Sequence, residues 1–357
     1  MINEIRIVFL SALAITMAGC TGYADYIGVD KHQPGNNEWV TDVDMPVPVV
    51  IDAALSSKGA LESLDDMAEK LFAFFAYDKN VTDSLDGGGM GMYNCATKYK
   101  RYNDGGGGFR FVEPVFCYPV DSDAAFTFYA YHALGLGNDN NDNVRISSNA
   151  SETAVFATVP VATGEDVLWG FASVEDENGF NAQYLRSHPD KLPEMTFSHV
   201  TALVTFTASL NDDDRTEDIR IKGLKLYDIP IGADLCIVHK AKVIGVEPLE
   251  GKLISYQYGD KEERWTAIRF ADFYHELFVA PQAGEFFECS LILEVASASG
   301  EINEEETEKV EVNPTDFLPV SLKKNGFCAG YGYNFNLAVV SADGKYQLEL
   351  QKRIADE

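Results

Sequence analysis

Positive charge is what this sequence has least of. Its 357 residues carry 28 Lys and Arg against 56 Asp and Glu, a net charge of -28. So acidic a body repels phosphate backbones and anionic membrane surfaces, which excludes nucleic acid as a partner. Solubility at a cell surface is sufficient reason for such a charge. Histidine is scarce as well. His32, His132, His188, His199, His239 and His275 are the full set, and no two stand three or four residues apart, so no helix can present a zinc pair. His275-Glu276 begins like a zinc-protease motif, but Val279 occupies the place of the second histidine. No G-x-x-x-x-G-K-[ST] loop, no G-x-G-x-x-G opening a helix and no G-x-S-x-G elbow occurs. Asp139 to Asn143 starts like a calcium loop, yet Val144 and Ala150 stand where the glycine and the bidentate glutamate belong. The expectation is a protein without cofactor or metal that is not an enzyme. A surface hydrolase lacks any motif, and carboxylates in so acidic a chain carry no weight as a catalytic pair.

Long apolar runs are missing after the N-terminus, and the one at the front is short. Ile7 to Ala18 carries only hydroxyls as polar groups. As a helix it is about 18 Å long, against a bilayer core of about 30 Å. A short apolar run ending in the small residues Ala18 and Gly19 reads as an export signal removed on secretion. Cys20 follows at once, and the next cysteine is Cys95. Cys20 is either an incidental residue of an ordinary secretory signal or a lipid attachment point. Removing residues 1–19 takes away Glu4 and Arg6 together, so the net charge is unchanged.

The remaining cysteines, Cys95, Cys117, Cys236, Cys289 and Cys328, are odd in number and show no C-x-x-C spacing. Burial as small apolar side chains is the expected state of most of them. One bridge, Cys95 with Cys117, is compatible with an oxidising compartment.

Helical periodicity is also lacking, which removes the parallel α/β class. Short β-prone runs fill the chain instead. Residues 20–46 are polar and irregular, a tether. Val47 to Ile51 is a short run in which Pro48 favours an edge position. Leu71 to Tyr77 and Phe126 to Tyr131 are aromatic, compact and strand-like. Ala154 to Val161 follows, then a polar, proline-marked stretch from 175 to 194 that reads as a connection. A long run opens at Met195 and continues to Leu210, and further short runs continue to Gln351. EINEEETEK, 301–309, reads as a solvated loop or hairpin tip. Many short strands between turn signals predict an all-β fold of two antiparallel β-sandwich domains in tandem. The expected spans are a signal at 1–19, a lipidated tether at 20–46, an N-terminal sandwich at 47–194 and a C-terminal one at 195–357.

Met17-Ala18-Gly19-Cys20 resembles the lipobox of bacterial lipoproteins, which implies acylation of Cys20. Two or more chains anchor stably where one does not. Leu71 to Tyr77, Phe126 to Tyr131, Gly164-Glu-Asp-Val-Leu-Trp169, Phe197-Ser-His-Val-Thr-Ala-Leu-Val-Thr-Phe206 and Gly330-Tyr-Gly-Tyr-Asn-Phe-Asn-Leu337 together resemble the fimbrillin family, the subunits of type V pili. The resemblance implies transthyretin-like sandwiches and a palmitoylated outer-membrane lipoprotein precursor. It also implies a first strand that plugs a groove until proteolysis lets a strand from the next subunit replace it. The partners are then other fimbrial subunits, the outer membrane through the lipid, and a host or glycan ligand. The expected plug is Val47, Val49, Val50 and Ile51. The family's processing protease favours arginine, but none lies between Cys20 and Arg101. Lys31 and Lys58 are the only lysines before Lys70 and are the candidate processing sites. The alternative reading is a glycan-binding surface lipoprotein that stacks sugars on Trp39, Trp169 or Trp265.

Overall fold

The computed structural model describes residues 47–55, 67, 70–78, 95–98, 100–101, 107–111, 116–119, 124–136, 144–172, 179–189, 191–210, 218–227, 229–241, 244–247, 249–257, 265–266, 274–281, 287–296, 299–317, 326–342 and 345–351. In chain order the strands are β1 (Val47–Pro48), β2 (Val50–Leu55), β3 (Leu71–Asp78), β4 (Cys95–Lys98), β5 (Lys100–Arg101), β6 (Gly107–Arg110), β7 (Cys117–Tyr118) and β8 (Phe126–His132). Then come β9 (Val144–Ser148), β10 (Glu152–Pro160), β11 (Leu168–Ala172), the helix α1 (Ala182–Ser187), β12 (Glu194–His199), β13 (Ala202–Leu210), β14 (Asp218–Tyr227), β15 (Gly232–Ala241) and β16 (Leu253–Gln257). The chain closes with β17 (Trp265–Thr266), β18 (Tyr274–Val279), β19 (Phe287–Ala296), β20 (Ile302–Glu306), β21 (Val310–Val312), β22 (Gly332–Ala342) and β23 (Lys345–Gln351). The fold is all-β.

Two compact units divide the described residues. One takes 47–55, the elements between 67 and 130, and 170–197; the other takes 131–169 and 198–351. The units interleave in sequence, where the expected spans ran consecutively with a boundary at 194/195. The first unit is built on an eight-stranded sheet of order β4-β3-β8-β11-β12-β2-β6-β5, and β1 pairs β7 beside it. Its core is aromatic. The Phe72 ring lies 5.1 Å from that of Phe109 and 4.9 Å from that of Phe197, and Phe74 lies 4.7 Å from Phe109. The aromatic runs that read as strands, β3 and β8, are buried along almost their whole length.

In the second unit, the sheet β18-β13-β22-β23 and the sheet β17-β14-β19-β20 share one apolar cluster, which makes a β-sandwich. Val204 and Phe206 of β13, Phe335 and Leu337 of β22, Leu224 of β14, and Phe287, Leu291 and Leu293 of β19 all lie in it. A third sheet, β16-β15-β10-β9, completes this unit.

Four expectations change. First, the sheets are not wholly antiparallel: β12 pairs β2 in parallel and β13 pairs β22 in parallel. Parallel neighbours require long crossovers, so residues far apart in sequence set these pairings. Second, the run from Met195 to Leu210 is two strands in two sheets, broken at Val200–Thr201. Third, the stretch read as a bare connection holds α1. Asn181 caps it, its Oδ1 accepting from the Tyr184 N–H at 2.7 Å. Six residues are too few to print a helical period. Fourth, the acidic stretch read as a loop or hairpin tip holds the strand β20. The loop at 138–143, with its calcium-like start at Asp139, lies outside the described residues.

Candidate functional site

The expected plug lies inside a sheet. β2 sits between β12 and β6. On one side it runs parallel to β12, with Asp52 to Leu55 against Glu194 to Phe197. On the other it runs antiparallel to β6, with Val50 against Arg110, Ile51 against Phe109 and Asp52 against Gly108. β1 extends the segment by pairing Val47 with Tyr118 and Pro48 with Cys117. The Val49 N–H donates to the Phe116 carbonyl, and the Asp52 N–H to the Pro193 carbonyl, each at 2.8 Å. Val47, Val49 and Ile51 are buried and Val50 is half-buried. Alternation along a pleated strand explains this: successive side chains take opposite faces.

β6 approaches β2 so closely that residue 108 can carry no side chain. A Cβ on Gly108 would stand 2.3 Å from the Ile51 carbonyl oxygen. The glycine in the GGGG run is thus a packing requirement of the β2–β6 pair. Taking β2 away would expose an unpaired edge on β6 and another on β12, with an apolar bed lined by Phe109 and Phe197 between them.

Cys20, Lys31, Lys58 and Trp39 lie outside the described residues. β2 ends at Leu55, so Lys58 follows it closely in sequence. Of the other tryptophans, Trp169 is half-buried. Its indole N–H donates to the Ile237 carbonyl at 3.1 Å, and its ring packs over Gly251, where a Cβ would come within 2.7 Å. Both contacts fix the indole against its own unit. The Trp265 side chain is outside the description. Cys236, Cys289 and Cys328 are buried free thiols. Burial pushes the Cys289 thiol up to about 12, and burial together with the charges of Glu250 and Glu152 does the same to Cys236. Thiols held protonated are poor nucleophiles. The Cys95 side chain is outside the description, and with it the pairing with Cys117.

One polar cluster escaped the sequence reading as a cluster. Asp166, His199 and Thr201 meet in the second unit, all buried. The Asp166 Oδ2 pairs with His199 Nδ1, and the Thr201 hydroxyl donates to Asp166 Oδ1. Backbone bonds fix the segments: Val200 N–H to Val167 O at 3.1 Å and Gly330 N–H to Thr201 O at 2.8 Å. Asp166 and His199 each lie within a stretch that carries the family resemblance, but only folding shows that they are partners. A cavity of about 150 Å³ adjoins them, walled by Leu203, Phe278 and Tyr331. An aspartate–histidine pair supplies two members of a nucleophilic triad, but among the described residues no hydrogen-bond partner meets His199 Nε2. The zinc-like start at His275 falls on β18, a strand, where positions i and i+4 do not form a helical face. Among the described residues no group of three or more His, Cys, Asp or Glu is placed to hold a metal ion, and no helix is long and apolar enough to cross a membrane.

No protein-family model matches the chain, and no curated protein matches it. Solved structures do. The chain is similar to a fimbrial protein from Bacteroides vulgatus, at 16% identity and a TM-score of 0.45 over 85% of this chain and 98% of that one. It is similar to a candidate cell adhesion protein from Bacteroides uniformis, at 14% identity and a TM-score of 0.45 over 88% and 99% of the two chains. A candidate adhesin from Bacteroides ovatus matches at 10% identity and a TM-score of 0.39, over 86% of this chain and 93% of that one.

Proposed function

We propose that this protein is a non-enzymatic surface adhesion subunit of fimbrial type, held to the outer membrane by lipid on Cys20 and joined to its own copies or sister subunits by strand donation. The observation that carries the reading is the position of β2. A segment near the N-terminus of the chain is an interior strand of the first unit's sheet, paired on both sides and seated over aromatic rings. Chain connectivity lets such a segment leave from one end without dismantling the strands beside it. The slot left behind has two unpaired backbone rows, and an incoming strand regains those hydrogen bonds while alternate side chains set its register. Cleavage at Lys58 releases β1 and β2 together; cleavage at Lys31 leaves them in place. Without cleavage, the same chain is a lipid-held anchor whose slot stays filled.

The test is N-terminal sequencing of the chain recovered from fibres assembled with its matching pilus system, beside electron microscopy with labelled antibody. A start after Lys58 supports strand replacement. A start at Cys20 in assembled fibres rules out release of the plug, and absence of the chain from any fibre removes the fimbrial reading.

A further inference from the structure

Two sheet edges of the second unit are finished in opposite ways. β20 is the edge of the β17-β14-β19-β20 sheet and is exposed throughout. Its Glu306 is paired with Lys225 of its own sheet, which leaves Glu304 and Glu305 along the edge, and Glu305 pairs with Leu293 on the core-facing side. Charge on the inward side of an edge strand obstructs strand addition, and two copies of β20 laid edge to edge would set carboxylate against carboxylate.

β9 has no such guard. It is the edge of the β16-β15-β10-β9 sheet and is exposed from Arg145 to Ser148. Its one charged residue is turned back onto its own sheet: Arg145 Nη2 donates to Asp234 Oδ2 at 2.5 Å, and the guanidinium lies 4.6 Å over the Phe156 ring. Backbone direction follows from the hairpin turn. The Asn149 N–H donates to the Glu152 carbonyl at 2.9 Å. Backbone groups alternate along a strand, so Arg145 and Ser147 also face β10, while Val144, Ile146 and Ser148 face outward. The far side of β10 agrees: Cys236 bonds Lys252 of the β16 side, which turns Leu235 toward its partner Ala157. Among the described residues nothing meets the outward N–H and C=O groups of Val144, Ile146 and Ser148. Ile146 is 38% exposed beside them.

We propose that β9 pairs with β9 of a second copy, antiparallel about a two-fold axis through Ile146. Ile146 then faces Ile146, and Val144 faces Ser148 in both directions. Each of these three facing pairs exchanges two backbone bonds. A two-fold contact demands a self-complementary patch, and this strand is one. Its centre is apolar, its outward residues are uncharged, and Arg145 falls opposite Ser147 rather than another arginine. The two four-stranded sheets become continuous. The net charge of -28 on each chain opposes the contact. Salt screens that repulsion, the Debye length shrinking from about 30 Å at 0.01 M to about 8 Å at 0.15 M, so the association strengthens as salt rises. This contact does not depend on strand donation through β2.

The test uses the full chain purified in detergent, in single-cysteine additions and by sedimentation. Facing residues of a bonded antiparallel pair stand about 5.5 Å apart at Cα, within disulfide range. Mild oxidation of Ile146→Cys yields a disulfide dimer, Ser148→Cys alone does not, and Val144→Cys with Ser148→Cys does. Ile146→Pro removes an outward N–H but none of the β9–β10 bonds, which Arg145 and Ser147 carry; it weakens the dimer at least about tenfold. Raising salt from 0.05 to 0.5 M tightens the dimer of the unchanged chain. The proposal is overturned if Ile146→Cys fails to cross-link, if Ser148→Cys cross-links equally well, or if salt disperses the dimer. Fibres that are lost while this cross-link persists count against strand donation alone.

Discussion

Ile51→Ala is the most direct probe of the plug. Ile51 is fully buried, opposite Phe109 in the β2–β6 register and at the aromatic cluster of Phe72, Phe109 and Phe197. Truncation removes buried carbons and leaves a cavity that aromatic rings, tied to one another, fill poorly. Comparable truncations cost 2–5 kcal/mol, and about 3 kcal/mol is the expectation here. If β2 detaches as a unit, the loss appears as local opening rather than as global unfolding. At about 1.4 kcal/mol per decade, amide exchange at Val49 and Asp52 then speeds up about a hundredfold. Those two N–H groups bond Phe116 O and Pro193 O, so they report the opening of the segment itself. Val204 and Phe206, in the sandwich of the second unit, keep their exchange rates. Native-state hydrogen exchange by NMR or mass spectrometry reads both. An acceleration below about fivefold at Val49 and Asp52, or an equal one at Val204 and Phe206, refutes the idea of a separately detachable strand.

Gly108→Ala drives a Cβ into the Ile51 carbonyl at 2.3 Å; a loss of about 3 kcal/mol, seen as a lowered Tm, is expected. Asp166→Ala strands His199 Nδ1 and the Thr201 hydroxyl in a buried site, costing about 2–4 kcal/mol by denaturant titration, whereas Asp166→Asn keeps a partner for each and costs less. Burial works against ionisation of Glu306, but hydrogen bonds from Lys225, Ser290 and Tyr227 outweigh it and hold the carboxyl at about 2. A depressed folded value means that its stabilisation is complete above the ordinary carboxylate range, near 4.5, and is lost as pH falls toward 2. NMR titration should place the Glu306 midpoint far below that of an exposed glutamate, and Lys225→Ala should raise it; an unchanged midpoint in the variant contradicts the assignment.

Burial patterns were legible in the sequence where a residue's type settles its own environment. LFAFFAYD and FTFYAYH could be read as buried strands because aromatic and β-branched side chains fit no solvated surface in such density. The buried cysteines were legible for the same reason, as was the strand around Val47 to Ile51. EINEEETEK was not: its composition fits a solvated loop, and only pairing with β19 makes part of it an edge strand. The break between β12 and β13 was equally hidden. Val200 and Thr201 look like their neighbours, and what turns the chain from one sheet to another is a backbone bond to Val167 and a hydroxyl bond to Asp166, 35 positions away from Thr201.

The sequence by itself determined the all-β class, because short apolar runs between turn residues cannot build anything else of this length. It also determined the acidic surface and the lack of a metal-binding histidine pattern, since both depend on residue identity and near spacing. Tertiary structure alone decided which strands are neighbours. Pairing energy comes from backbone groups that are the same at every residue, so sequence says little about whether β2 lies at an edge or between β12 and β6. Burial of Ile51 opposite Phe109, and the bare backbone of Gly108, choose the interior place.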